Sequence, residues 1–137
     1  MANYWILKTE PNDYSFDELV VEKRTTWGGV RNPVALRNMR NMKKGDAVMV
    51  YHTGKEKAAV GLARVAKEAY PDPGAKDPKL VAVDIEVGKP LTAPVTLAMV
   101  KADKNFADFA LVRQPRLSVI PVPERYWKRL LSMAGGA

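Results

Sequence analysis

The sequence has no cysteine. Disulfides, thiolate nucleophiles and Cys-ligated metals are thereby excluded, and the lack fits a reducing compartment. Histidine is nearly as scarce, with His52 standing alone. A metal set cannot be assembled around it, because it has no second His or Cys to join and the acids show no ligand spacing. No apolar run approaches the roughly 18 residues needed to cross a membrane. The first apolar run is interrupted by Lys8, Glu10 and Asp13, unlike a signal peptide, so the chain is expected in the cytoplasm. G-x-S-x-G, P-loop and G-x-G-x-x-G patterns are missing. Asp13, Asp17 and Glu18 are better explained by a turn and a helix cap than by a catalytic carboxylate pair. These absences point away from an enzyme and from any cofactor.

What is present is a basic chain of 137 residues, 47% hydrophobic and 27% charged, with a net charge of +7. That length suits one domain, spanning 1–137, with a core of its own. The charge is uneven. Residues 22–44 hold seven Lys/Arg against one Glu, and residues 101–129 hold seven against three acids. Residues 45–100 are balanced, and residues 1–21 come to −3. Two basic segments around a neutral one describe a face for polyanions or a solvated surface. On the first reading Arg24, Arg37, Arg40, Lys43 and Arg116 hold phosphates.

The stretch of greatest interest is Trp27-Gly28-Gly29-Val30-Arg31-Asn32. The glycines let the backbone take up positive φ and approach a ligand closely. Arg and Asn make paired hydrogen bonds to planar heterocycles. Trp27 is either a platform for a base or a structural plug. Around it, Tyr4–Thr9 reads as a strand ended by Glu10-Pro11. Ser15 and Glu18 form a capping box for a helix to about Glu22, with Phe16, Leu19 and Val20 inward. Trp27 to Asn32 reads as a loop. Asn32 caps a helix that starts at Pro33 and runs to about Met42, stopped by Gly45.

Asp46 to His52 reads as a central strand and Ala58 to Ala66 as its partner, with Gly61 marking a bulge or close approach. Val81 to Val87 alternates as a half-buried strand, and Pro90 to Pro94 reads as a break. Short helices are expected over 96–102 and 106–114, a strand over 116–121 and a helix over 124–133. Trp5 and Trp127 belong to the core. About five strands with tight turns and about four short helices give an α+β fold, a small mixed or antiparallel sheet curled into an open barrel.

Seven segments occur in one order: WILKTEP at 5–11, YSFDEL at 14–19, WGGVRN at 27–32, MKKGD at 42–46, VYHT at 50–53, AYPDP at 69–73 and LVRQPRLSVIPV at 111–122. In this the chain resembles the EVE domain family. The resemblance implies a PUA-like β-barrel with peripheral helices. It also implies binding of nucleic acid with a modified base held in a pocket. The family's pocket region maps onto Lys8, Thr9, Trp27, Val30, Arg31, Asn32, Tyr51, His52 and Arg116, Leu117 and Ser118. The chain departs from the family pattern at Phe16, at Thr53, and at Pro33 beside the pocket.

The expected function is therefore a non-enzymatic reader of a modified base, in DNA of the methylated or hydroxymethylated cytosine type. Trp27 and Tyr51 would line the pocket, while Lys8, Arg31, Asn32, His52 and Ser118 read the base edge. An RNA-binding module of PUA type and a binder of free nucleotides or metabolites are the alternatives.

Overall fold

The computed structural model describes residues 3–135. The chain runs β1 (Tyr4–Thr9), α1 (Phe16–Glu22), β2 (Arg24–Trp27), α2 (Pro33–Asn41), β3 (Ala47–His52), β4 (Ala58–Pro71) and β5 (Val81–Thr96). It continues through α3 (Leu97–Ala102), a 3-10 turn (Lys104–Phe106), α4 (Ala110–Arg113), β6 (Val119–Pro121) and α5 (Glu124–Met133). The six strands form one sheet in the order β2-β5-β4-β3-β1-β6. β1 and β3 pair in parallel, and the other pairings are antiparallel. The sheet is mixed and barrel-like but not closed, because β2 and β6 remain its edges.

The apolar run Val48–Tyr51 lies in the middle of the sheet and is buried throughout. Both faces of a central strand are covered, so the run needs no alternation. Trp5 and Trp127 are buried as expected. The Trp5 indole N–H donates to the buried Asp46 carboxylate at 2.9 Å, and Trp127 stacks on Tyr4 with centroids 4.9 Å apart.

α1 starts as its sequence predicts. The Ser15 hydroxyl accepts from Glu18 N–H at 3.1 Å, and the Glu18 carboxylate accepts from Ser15 N–H at 3.3 Å. Phe16 and Leu19 face inward, but Val20 is exposed. Lys23, at φ 68, then turns the chain directly into β2. That strand, of which only Trp27 was expected, and as part of a loop, gains its partners from the distant β5. α2 begins at Pro33 under the Asn32 cap and ends at Asn41, ahead of Gly45.

β4 and β5 are both longer than expected. β4 continues to Pro71, and β5 passes through Pro90 and Pro94 to Thr96 without a break. Irregular register at Gly61, which faces Pro90, absorbs the missing proline donor. A Cβ at Gly61 would lie 2.2 Å from the Phe16 ring. The expected close approach is therefore the packing of α1 against the bend of β4. The last strand is shorter than expected, at three residues, because 116–118 form a turn before it.

Candidate nucleic-acid interface

The curl of the sheet brings its two edges to one cleft of about 480 Å³. β1 supplies Lys8 and Thr9, β2 supplies Thr25 to Trp27, the following loop supplies Gly28 to Arg31, and Ser118 enters from the turn before β6. Residues near positions 8, 27 and 118 thus meet because the sheet is mixed. Lys8 N–H donates to the Ser118 carbonyl at 2.9 Å, which seats that turn beside β1.

Trp27 is 8% exposed. Its indole meets the Tyr14 ring edge-on, at 6.0 Å and 90°. Tyr14 is held in turn, since its backbone carbonyl accepts from the Thr9 hydroxyl at 2.8 Å and its own hydroxyl donates to Glu22 at 2.5 Å. Burial, then the Glu22 hydrogen bond, pushes the Tyr14 phenol up to about 12. It stays a neutral donor at any working pH. Trp27 is thus both a packed wall and part of the cleft surface.

The Gly28–Arg31 loop is held by a residue from far along the chain. The Asp72 carboxylate, buried, accepts from Gly29 N–H at 2.7 Å and from Gly74 N–H at 2.9 Å. Gly29 takes φ +75, which favours glycine. Gly28 is required for space, because a Cβ there would lie 2.6 Å from an Asp72 oxygen.

Residues 3–133 match the family model described as EVE domain. The chain belongs to the EVE domain family. Thymocyte nuclear protein 1 of Mus musculus is 29% identical, over 97% of this chain and 74% of its own length. The solved Rpa0253 of Rhodopseudomonas palustris is 44% identical, covers 98% of this chain and 94% of its own, and superposes with a TM-score of 0.92. Human THYN1, solved in complex with DNA containing 5-methylcytosine, is 27% identical with a TM-score of 0.90, over 97% of this chain and 98% of its own.

In this EVE domain, Lys8, Thr9, Trp27, Val30, Arg31 and Ser118 share the cleft. Four other expected pocket residues lie elsewhere. Tyr51 is buried under Lys8, whose ammonium lies 5.6 Å from the ring centroid, and it lines an adjoining pocket. His52 is turned inward, where Nε2 accepts from Phe16 N–H at 3.0 Å and Nδ1 lies 2.9 Å from Glu56. Those partners make Nδ1 the protonated nitrogen and fix the start of α1 to β3. The Asn32 side-chain oxygen accepts from Val34 and Ala35 N–H at 2.9 and 3.0 Å, so it caps α2. Leu117 is buried and lines a separate groove with Asn32 and Arg116.

Of the five expected phosphate holders, two have protein partners. Arg24 pairs with Asp84 at 3.1 Å and Glu86 at 3.8 Å. Arg40 donates to the Lys79 carbonyl at 2.5 Å, while Arg37, Lys43 and Arg116 are exposed. The cleft also contains Glu10, Asp13, Tyr14, Thr25 and Thr26, none of which was expected in the pocket. Asp72 carried a signal only as part of the AYPDP segment. Among the described residues, no group of three or more His, Asp or Glu could hold a metal ion. No helix among them is long and apolar enough to cross a membrane.

Proposed function

We propose that this chain is a non-catalytic binding module that holds a modified cytosine of DNA in the cleft between β2 and the β1–β6 edge. The observation that carries the reading is the cleft itself. Its volume of about 480 Å³ falls among pockets that take organic ligands, roughly 300–1,000 Å³. An indole and Val30 supply apolar surface for a ring and its methyl group. Lys8, Arg31, Ser118 and Thr9 supply groups for a base edge, which is what a base taken out of the stack requires. The structure of human THYN1 with 5-methylcytosine DNA supports this choice of ligand. His52, the sole histidine, uses both ring nitrogens on structural partners. That supports binding rather than proton transfer.

The test is competition binding at two salt concentrations. Matched duplexes carry cytosine, 5-methylcytosine, 5-hydroxymethylcytosine or methyladenine, beside an RNA of the same sequence and the free nucleosides. A modified cytosine is expected to bind best. Trp27→Ala should weaken that complex about 5- to 150-fold, the equivalent of the ~1–3 kcal/mol of one stacked base, and weaken the unmodified duplex less. Equal loss on both duplexes would remove Trp27 from the base site. Tighter binding of the RNA, or of a free nucleoside, would replace DNA as the ligand.

A further inference from the structure

Lys8 borders a second, smaller pocket of about 240 Å³ on its other side. Three lysines line it, Lys8, Lys57 and Lys101, and no Asp or Glu does; Lys57 and Lys101 also border a neighbouring hollow that contains Glu56. Glu10 reaches Gly54 on its rim but lines the first cleft. Among the described residues, none of the three lysines is in an ion pair. Tyr51 is buried against the pocket, with Leu97 and Leu111 as apolar wall.

The backbone that carries two of the lysines is tied together. Lys57 adopts φ 47, and its carbonyl accepts from Leu97 N–H at 2.8 Å, which ties its turn to the start of α3, the helix of Lys101. The Lys8 ammonium has three donors and, among the described residues, one acceptor, the Pro115 carbonyl at 3.1 Å. Burial pushes the Lys8 ammonium down and the Tyr51 phenol up. The lysine charge is therefore carried at a cost that a nearby anion would offset, and the tyrosine stays a neutral donor. Three like charges around one small space repel each other until an anion enters.

We propose that this pocket seats a phosphate of the strand whose modified base occupies the neighbouring cleft, with Lys8 bridging the two. The inference rests on the nucleic-acid reading above. A tetrahedral anion accepts hydrogen bonds from several sides at once, which suits ammonium groups acting as compact point charges. The apolar wall takes the sugar.

Two measurements test it, with the full chain and Lys57→Gln/Lys101→Gln. In the first, inorganic phosphate is titrated while backbone amide resonances are followed. Saturable shifts are expected at Thr53, Gly54 and Lys57, and their loss in the double variant. Shifts that persist in the variant, or none at all, overturn the pocket. In the second, affinity for modified and unmodified duplex is measured against salt. One phosphate contact fewer should make the logarithmic salt slope shallower by about 0.9, with the preference for the modified base intact. An unchanged slope on both duplexes overturns the phosphate site alone. A wild-type chain that ignores the modification overturns the reader alone, and the phosphate titration still decides the pocket.

Discussion

Asp72 is not among the residues that line the cleft, but both of its carboxylate oxygens are committed to loop amides, those of Gly29 and Gly74. Hydrogen bonds to a charged group contribute about 1.5–3 kcal/mol. Asp72→Ala should lower the unfolding free energy by that order in a denaturant titration. It should also weaken the modified duplex about tenfold, if reordering the loop costs ~1.4 kcal/mol. Asp72→Asn keeps an acceptor for one amide and should fall between. Tyr14 gives a second prediction. Its folded pKa of about 12 lies above the usual phenol value of 10.0. The protonated form therefore stabilises the fold below about pH 10, and that contribution is lost as pH rises through about 12. Ultraviolet titration should show one tyrosine ionising near 12, and Glu22→Gln should bring its midpoint down.

At the scale of elements, α1 approaches β4 closely at one glycine. The Phe16 ring fills the space that a Gly61 side chain would need. Gly61→Ala should destabilise by about 1–3 kcal/mol or more, as overpacking does. Phe16→Leu should recover part of that loss in the double variant, and full additivity of the two changes would mean that they do not meet. Legibility also divides by element. α1, α2 and α5 were readable because caps and apolar stripes are local. β1 and β3 were readable because each holds a continuous apolar or aromatic run, Tyr4–Leu7 and Ala47–Tyr51. β2 was not, since Arg24-Thr25-Thr26-Trp27 becomes a strand only beside Val83–Glu86. The far half of β5 was hidden by Pro90 and Pro94, which a strand tolerates only where its neighbour is irregular.

For the whole molecule, the cleft is assembled from the two edges of one sheet, and a linear reading finds its parts unequally. Lys8, Trp27, Arg31 and Ser118 stood out because their chemistry is polar or aromatic at strand ends. His52 and Asn32 stood out for the same reason, but the His52 nitrogens are taken by Phe16 and Glu56, and the Asn32 side-chain oxygen by the first turn of α2. Net charge was legible, whereas its cancellation was not. Arg24 and its acids come from β2 and β5, 60 residues apart. The three lysines of the second pocket come from β1, the β3–β4 turn and α3, so no basic run marks them.

β6 docks on β1 with Trp5 facing Pro121, and Ser118 reaches the cleft only through that docking. The cleft therefore closes late in synthesis. A chain emerging from the ribosome has exposed Trp27 and its cations long before Ser118 exists to complete the wall. The cleft wall is complete only with β6, so an unfinished copy carries the basic run of residues 22–44 before its cleft has formed.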